Sequence, residues 1–308
     1  MKIPIIVDTD PGLGHLFSDV DDALAIFTIL NSDDIFEVIG FTVSYGNVKV
    51  DIAYKLLKKY LKVAKKDSIP IIKGVKNRYQ LGKENPASQF IIDTINEYPN
   101  EITIFALAPL TNLATAFIKD KELKFKIKEL RIMGGVINTT VLKFSPITKF
   151  LDEKFFNIPI NNLVAEFNII NDPLAAKIVF NQQLKTKIFP LNVTCKTKIR
   201  KFHLLKLRER NSPITNFCYR NILSWYFLNT IVTGDGFYPH DVLVPMSKID
   251  ETIFKFKKLC LDIDIKNVPG KIQIISNNNK IKRTNFIEVC YDLDKDKFLN
   301  KLLMILMK

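Results

Sequence analysis

Apolar runs and amphipathic stretches alternate along the first half of this chain. The apolar runs predict strands at 3–8, 36–44, 69–74, 102–108 and 130–135. Helical periodicity predicts one helix that begins near Asp19 and others at 49–64, 86–97 and 111–119. Such alternation is typical of a parallel sheet with helices on both faces. We therefore predict an α/β fold with an open, mostly parallel sheet flanked by helices, as a single domain over residues 1–308.

The pattern changes in the second half of the chain, where residues 136–163 have no clear periodicity. Order returns at 166–181, where Asp172 and Pro173 predict the N-cap and the first position of a helix. The remaining pattern predicts a strand at 187–194, helices over 198–230, strands at 259–265, 271–276 and 285–293, and a closing helix to about Met307.

Acidic residues are concentrated directly after the first predicted strand. The stretch DTDPGLGHLFSDVDDALAI, residues 8–26, contains five aspartates: Asp8, Asp10, Asp19, Asp21 and Asp22. In open parallel sheets the ligand site forms outside the carboxyl ends of the strands. The aspartates are therefore expected at the edge of the sheet where a ligand would bind.

Composition narrows the possible classes of function. The net charge is +13, but the lysines are spread over predicted helix faces, so we expect no nucleic-acid partner. No apolar run is long enough for a membrane span, and the N-terminus lacks a signal-peptide pattern. We therefore expect a cytoplasmic protein that does not bind a membrane. The four scattered cysteines are expected to be buried and reduced.

Several carboxylates at one strand end repel one another, and protonation or a cation must relieve that repulsion. A hard cation such as Ca²⁺ suits oxygen ligands in irregular geometry. Pro11 and Gly12 provide the turn that brings the aspartates together. A helix cap needs one acid rather than four, so we interpret Asp19 alone as a solvated or capping residue, with Ser18 as the other candidate cap.

DTDPG followed by DDALAI resembles the N-terminal motif of the inosine-uridine type nucleoside hydrolases. Further segments resemble this family in the same order: SYGN (44–47), LAPLTNLA (107–114), IMGG (132–135), AEFNIINDPLAA (165–176), LNVT (191–194) and PHD (239–241). The resemblance implies the Rossmann-like nucleoside hydrolase fold and a calcium-dependent N-glycosidase of nucleoside salvage. It also implies a nucleoside substrate, cleaved to ribose and a free base, and a homodimer or homotetramer.

The resemblance further implies a role for each matched residue. Ca²⁺ would be held by Asp10, Asp22, Asp241 and the backbone carbonyl of Leu107, with Asp8 as a supporting carboxylate. Asp21 would be the general base that takes a proton from the metal-bound water. A ring of carboxylates agrees with this chemistry, because cleavage of a glycosidic bond develops positive charge on the sugar.

A second set of matched residues would bind the nucleoside. Glu166 and Asn168 would hold the ribose hydroxyls, with Asn47 close by, and their spacing of two predicts that both side chains lie on one face of an extended segment. His240 would help the departing base to accept a proton. Apart from the motifs, Trp225, Tyr226 and Phe227 are candidates to stack on the base, although these aromatic residues fit a stripe that packs in the core equally well. Those are the candidate catalytic and substrate-binding positions.

The chain departs from the family in three places. Leu13 to Val20 add about seven residues between DPG and DD, and we expect this insertion, which includes His15, at the rim of the site. The interval between Gly74 and Ala87 is short and contains no His. Residues 136–163 are longer than usual, and we hypothesise that they form a lid with the 13–20 loop. Deletion of 140–158 should then raise the Michaelis constant and leave calcium affinity nearly unchanged.

Two other functions remain open. One is an N-glycosidase that acts on a nucleotide or a modified ribosyl compound, with the same catalytic acids. The other is a non-catalytic ribosyl-binding protein, which would not need a positioned base. The identity of the preferred base is open as well.

Overall fold

The computed structural model describes residues 1–16, 18–137, 165–233, 235–275 and 286–308. The predicted excursion at 136–163, and with it the lid hypothesis, falls almost entirely outside the described residues. Ten strands are described: β1 Ile3–Thr9, β2 Phe36–Val43, β3 Ile71–Lys73, β4 Thr103–Ala106, β5 Glu129–Met133, β6 Thr186–Phe189, β7 Phe254–Leu259, β8 Leu261–Ile263, β9 Ile272–Ile274 and β10 Ile287–Leu293.

Eleven α-helices accompany these strands in the described residues. They are α1 Asp21–Leu30, α2 Val50–Val63, α3 Pro86–Glu97, α4 Thr111–Lys119, α5 Phe167–Asn171, α6 Pro173–Phe180, α7 Leu191–Thr194, α8 Lys201–Arg210, α9 Pro213–Thr233, α10 Leu243–Ile249 and α11 Lys295–Leu306. Short 3₁₀ turns lie at Arg78–Gln80, Leu123–Phe125 and Glu251–Ile253. The bounds of α3 and α4 match the prediction, and Asp172 caps α6 by accepting a hydrogen bond from the backbone of Ala175.

The main sheet has eight strands in the order β3-β2-β1-β4-β5-β6-β10-β7. Every neighbouring pair is parallel except β10 with β7. Strands β8 and β9 form a separate antiparallel pair. The strand order reverses between β1 and β4, and ligands bind at such a switch point in open α/β sheets. The predicted fold class is therefore confirmed, and β1 places the aspartates at this point.

The sheet is buried on both faces, and alternate residues of β1 show why. Ile5 and Val7 pack into one apolar core, while Ile6 packs into the core on the opposite face. A strand with both faces covered by helices reads as a continuous apolar run, as parallel strands do. Because β1 is packed on both faces, its carboxyl end is held in place, and with it Asp8 and Asp10.

Three predictions about local structure are wrong. The strand predicted at 187–194 ends at Phe189, because Pro190 cannot donate a ladder hydrogen bond, and residues 191–194 form α7. The segment after Glu166 is the helix α5 rather than an extended chain. The strand predicted at 259–265 is shorter and is β8, while β7, which ends at Leu259, was missed although its FKFK alternation has the period of a strand.

Two further observations bear on composition. Among the described residues, no helix combines the length and the apolar character needed to cross a membrane. All four cysteines are free thiols, and three of them are buried, whereas Cys195 is half-buried.

Candidate active site

The first two aspartates lie at the carboxyl end of β1, and polar partners hold one oxygen of each. Asp8 Oδ1 accepts hydrogen bonds from Thr42 Oγ1 (2.6 Å) and Asn112 Nδ2 (2.9 Å). Asp10 Oδ2 accepts a hydrogen bond of 2.6 Å from the backbone N–H of Asn47. Both side chains are buried. Their other oxygens, Asp8 Oδ2 and Asp10 Oδ1, are buried without a hydrogen-bond partner in the described chain.

Asp22 joins the beginning of α1 to the end of β1. Its Oδ1 accepts hydrogen bonds from the Thr9 hydroxyl and from the backbone N–H of Asp10 (3.2 Å). Its Oδ2 accepts a hydrogen bond of 2.9 Å from Asn47 Nδ2. Asn47 therefore holds two acids at once, one through its backbone and one through its side chain. Gly46 lets that loop approach, because a Cβ at this position would collide with the Asp10 carboxylate.

Three carboxylates from distant parts of the sequence converge beside this network. Oxygen atoms of Asp21, Asp22 and Asp241 all lie within 4.8 Å of one another, and all three residues are buried. Asp241 Oδ1 has no hydrogen-bond partner among the described residues. The group includes Asp21, the predicted base, and does not include Asp10, a predicted metal ligand. We call these three residues the carboxylate group.

Burial and mutual repulsion raise the pKa of every acid in this region. Burial raises the pKa of Asp8 and of Asp22 to about 6, against hydrogen bonds that lower it. The pKa of Asp10 lies well above its usual value because of burial and the charge of Asp22. Burial and neighbouring carboxylates do the same to the pKa of Asp21 and of Asp241. A bound cation would reverse this, so the donor set and its unpartnered oxygens fit a metal ion.

A cavity of about 450 Å³ opens above the acids. Eight predicted site residues line it: Asp21, Asn47, Leu107, Glu166, Asn168, Trp225, His240 and Asp241. Apolar side chains, among them Met133, Phe167 and Leu191, form much of the remaining wall. The volume lies in the range typical of small-molecule sites. Asp8, Asp10 and Asp22 do not line the cavity and lie buried behind its wall.

Glu166 and Asn168 meet at the cavity through a helix start. Glu166 is the N-cap of α5, and its carboxylate accepts hydrogen bonds from the backbone N–H groups of Asn168 (2.7 Å), Ile169 (3.2 Å) and Gly135 (3.0 Å). Asn168 Nδ2 donates to the carbonyl oxygen of Leu107 at 2.9 Å. The two side chains therefore share the site although the extended geometry predicted for them is wrong.

His240 and Trp225 reach the cavity from the second half of the chain. His240 Nδ1 is 2.7 Å from Thr194 Oγ1, and burial lowers the pKa of its imidazole to about 4. The ring is therefore neutral at pH 7. Of the three consecutive aromatic residues considered for stacking, Trp225 alone lines the cavity. Tyr226 donates a hydrogen bond to Asp235 Oδ1 instead, and Phe227 is 67% exposed.

Comparison with known proteins shows the family of this chain. The family model described as inosine-uridine preferring nucleoside hydrolase matches residues 5–300. The chain belongs to this family. Among curated relatives, uridine nucleosidase 1 of Arabidopsis thaliana is 26% identical over 293 residues, which are 86% of this chain and 79% of that protein. The pyrimidine-specific ribonucleoside hydrolase RihA of Salmonella arizonae is 28% identical over 240 residues, 70% of this chain and 68% of that one.

Solved structures share the fold of this nucleoside hydrolase. A plant nucleoside hydrolase superimposes on this chain with a TM-score of 0.83 at 24% sequence identity. The alignment covers 100% of this chain and 99% of the plant protein. The purine-preferring ribonucleoside hydrolase of Gardnerella vaginalis has a TM-score of 0.80 at 21% identity, with 99% and 98% covered. The predictions of family, fold class and a hydrolase that acts on nucleosides are thus confirmed.

The end of the segment 13–20, which was predicted to be an insertion at the rim of the site, reaches the cavity. Ser18 and Asp19 line it, and the exposed His15 contacts Ser18 Oγ through Nδ1 (3.1 Å) without lining it. The prediction that Ser18 or Asp19 caps α1 is wrong, because Val20 occupies the N-cap position and no side chain accepts a cap hydrogen bond. Burial raises the pKa of Asp19 to about 6, so it adds another acid to the site.

Sequence reasoning missed the residues that hold the acids in place. Thr9, Thr42 and Asn112 are fully buried and polar, and each donates to Asp8 or Asp22. Asn112 could have been found from the sequence, because it is a polar residue of the LTN motif in an otherwise apolar helix start. Thr9 and Thr42 look like ordinary strand residues, and the sequence contains no comparable signal for them.

Proposed function

We propose that this nucleoside hydrolase cleaves the N-glycosidic bond of ribonucleosides with the help of a calcium ion. The observation that carries the proposal is the convergence of the carboxylate group with Asn47, Glu166, Asn168 and His240 at one cavity. These residues come from separate segments of the chain, and a purely structural cluster would not require amides, carboxylates and an imidazole to face the same space. The membership of the family supports a nucleoside as the substrate.

Asp10, Asp22, Asp241 and the carbonyl oxygen of Leu107 would hold the calcium ion. The unpartnered buried oxygens of Asp10 and Asp241 support this assignment, because a buried carboxylate oxygen without a partner is costly. Asp8 supports the set from behind through its contacts with Thr42 and Asn112. When bound, the cation supplies positive charge that acidifies a nearby water.

Asp21 would accept the proton of the attacking water. It lines the cavity, so its carboxylate can reach a water beside the proposed cation, and an ionised carboxylate can accept the proton of that water. Asp21 therefore differs in exposure from Asp22, its neighbour in sequence, which is fully buried and hydrogen-bonded. That difference supports separate roles for the two residues.

The ribose would bind between Asn47, Glu166 and Asn168. Asn168 uses its N–H to contact the Leu107 carbonyl, which leaves its side-chain oxygen as an acceptor for a hydroxyl. The base would extend toward Trp225 and His240, where an aromatic face and a neutral imidazole are available. In this arrangement the carboxylates stabilise the positive charge that develops on the sugar.

A nucleoside is favoured over a nucleotide by the charge of the cavity wall. The described lining residues include Asp19, Asp21, Glu166 and Asp241 and no lysine or arginine. A 5′-phosphate would bring further negative charge into this space. The same acids argue against a non-catalytic ribosyl-binding protein, because binding alone does not need the basic carboxylate of Asp21.

The test is release of reducing sugar from uridine, inosine and their 5′-monophosphates, with added Ca²⁺ and after chelation. Hydrolysis of the nucleosides that chelation abolishes and Ca²⁺ restores is expected, with Mg²⁺ a weaker substitute. Activity on the phosphates alone would support the nucleotide alternative, and no activity on any compound would support a binding protein. Asp21→Ala should abolish turnover while calcium still binds, whereas Asp10→Ala should weaken calcium binding itself.

We also propose that the protein is a cytoplasmic homodimer or homotetramer of nucleoside salvage, which is supported by the family resemblance. Light scattering coupled to gel filtration measures the assembly, and a monomeric mass would reject it. Fractionation of cells that express the protein at its natural level tests the compartment.

A further inference from the structure

Thr194 lies in the LNVT motif, and its hydroxyl touches His240. Its Oγ1 is 2.7 Å from His240 Nδ1, and the residue is fully buried at the end of α7. The backbone around it is fixed on both sides. Its N–H donates to the carbonyl of Pro190 at 3.1 Å, and its carbonyl accepts from Thr197 Oγ1 at 2.8 Å. The hydroxyl is therefore held in place beside the imidazole.

This contact decides which nitrogen of His240 faces the cavity. Nδ1 is occupied by Thr194, and Nε2 makes no hydrogen bond to any residue that the structure describes. A neutral imidazole carries one N–H and one acceptor nitrogen. If the threonine hydroxyl donates to Nδ1, the proton of the ring must be on Nε2. If the hydroxyl accepts instead, Nε2 presents only a lone pair to the substrate.

The burial of Thr194 favours the first arrangement. Its side chain is fully buried, and His240 Nδ1 is the one hydrogen-bond partner of its hydroxyl among the described residues. If the hydroxyl accepted a hydrogen bond from Nδ1–H, its own hydrogen would be buried without an acceptor, which is costly. The hydroxyl therefore donates to Nδ1, and the proton of the ring lies on Nε2.

We propose that Thr194 is a positioning residue that keeps the proton of His240 on Nε2, directed at the departing base. The inference rests on the proposed function. When the bond between C1′ and the base nitrogen breaks, its electron pair moves to the base, and an Nε2–H group stabilises that developing charge by hydrogen bonding. Water supplies the hydroxyl that bonds to C1′ and the hydrogen that the free base finally carries, so atoms and electrons balance.

The tautomer can be measured directly, because the chain contains three histidines. Two-bond ¹H–¹⁵N correlation spectra at pH 7 distinguish Nε2–H from Nδ1–H rings. His203 provides an internal reference, since its Nδ1 accepts a hydrogen bond of 2.9 Å from the backbone N–H of Arg200 and its proton must be on Nε2. We expect His240 to show the same Nε2–H pattern in the wild-type protein and a mixture of tautomers in Thr194→Val.

Kinetics provide the second readout, which a merely structural role would not change. Uridine has a poor leaving group that needs stabilisation, whereas the nitrophenolate of p-nitrophenyl β-D-ribofuranoside leaves without it. Thr194→Val should lower kcat for uridine by about 10- to 100-fold, part of the usual contribution of acid–base assistance. The loss on the nitrophenyl riboside should be at least about tenfold smaller, since this substrate does not use the assistance. Thr194→Ser, which keeps the hydroxyl, should recover most of the uridine activity.

Thr103→Val is the matched control, because it removes another fully buried threonine hydroxyl that has no hydrogen-bond partner among the described residues and lies at the start of β4, away from His240. It should leave the tautomer and the ratio of the two activities as in the wild type. Equal loss of both activities in Thr194→Val, or an Nδ1–H ring in the wild-type protein, would overturn the inference. Hydrolysis of neither substrate by the wild-type protein would overturn the proposed function instead, and the tautomer spectra would still decide the role of Thr194.

Discussion

Two buried groups of charged residues lie on the same sheet, and they solve the problem of buried charge in opposite ways. The carboxylate group, at the start of α1 and shortly before α10, contains acids only. The second group, which we call the ion-pair network, lies at the start of β5 and beneath α10. It consists of Glu129, Arg131, Lys187, Lys248 and Glu251. The centre of the network is as deeply buried as the carboxylate group, since Glu129 and Arg131 are each 1% exposed and Asp22 is not exposed at all.

Within the ion-pair network each acid meets a base. Arg131 donates to Glu129 Oε1 at 2.9 Å and to Glu251 Oε2 at 3.0 Å, while Lys248 Nζ lies 2.6 Å from Glu129 Oε2. Lys187 contacts Glu251 at 2.6 Å. Burial alone would raise the pKa of Glu129, yet Arg131 and Lys248 bring it below its usual value. The acids of the carboxylate group show the reverse shift.

The contrast shows which buried charges belong to the fold and which await a ligand. In the paired network every acid has a basic partner, and Lys248 joins the network to α10, which begins two residues after Asp241. An unpaired group lowers the stability of the free protein, and such a cost is retained where it serves binding or catalysis. The difference can be tested by substitutions that remove one charge from each group.

Glu129→Gln should have the largest effect on stability. It leaves Arg131 and Lys248 with less compensation in a buried position, and breaking a buried pair in this way costs about 3–5 kcal/mol. Chemical denaturation should show this loss in the free energy of unfolding. Folded Glu129→Gln, assayed well below its melting temperature, should retain most of its kcat. A loss below about 1 kcal/mol would contradict the comparison, since that is the range of exposed pairs.

Asp241→Asn should affect function rather than stability. Loss of an outer contact to a metal ligand typically costs 10- to 100-fold in affinity, so loss of the ligand itself should weaken Ca²⁺ binding by about 100-fold or more. In the presence of chelator, the free energy of unfolding should not fall, because the substitution removes one of several repelling charges. Isothermal titration with Ca²⁺ and denaturation of the same sample check both parts. If Asp241→Asn clearly lowered the free energy of unfolding without calcium, Asp241 would stabilise the fold, as the residues of the ion-pair network do.

Stabilisation by calcium should depend on pH. The pKa of Asp8 and of Asp22 rises from an ordinary 3.8 to about 6 in the folded protein. Between these values the folded protein keeps protons that the unfolded chain has released, so stability without metal falls as the pH rises through about 6. For Asp8 alone the shift corresponds to about 3 kcal/mol.

Ca²⁺ needs the ionised carboxylates and relieves their repulsion, so the increase in melting temperature on adding Ca²⁺ should be larger at pH 7.5 than at pH 5. Scanning calorimetry at both pH values, with Asp241→Asn as the control, provides the measurement. An equal increase at both values would mean that these acids do not bind the cation.

Much of the fold was predictable because its strands and helices have distinct periodicities. The bounds of α3 and α4 follow from the sequence, since Asn85 with Pro86 and the LTN turn mark clear helix starts. The error at 187–194 arose because a short apolar run fits both a strand and a helix. The alternation of β7 is typical of a strand and was overlooked. Assignment of residues 1–308 to one domain stays a prediction.

The site was predictable where one residue type is unusual in its setting. Asp8, Asp10, Asp21 and Asp22 form a dense acidic stretch, and the structure brings Asp21 and Asp22 to Asp241, which only the resemblance to the family had placed at this site. The ion-pair network left no such trace, because Glu129 and Lys248 become partners only through packing and are indistinguishable from surface charges in the sequence. The catalytic roles assigned to individual acids stay predictions until the variants are measured.

Glu251→Gln should have the smallest effect and sharpens the comparison within the network itself. Glu251 contacts Arg131 and Lys187, as Glu129 contacts Arg131 and Lys248, but its side chain is 52% exposed. Solvent screens such a pair, so the substitution should lower the free energy of unfolding by about 0.5–1 kcal/mol. A double variant with Glu129→Gln separates the shares of the two acids, because both depend on Arg131 and their effects should not add. If Glu251→Gln proved as costly as Glu129→Gln, burial would not be what distinguishes structural charges from exposed ones in this protein.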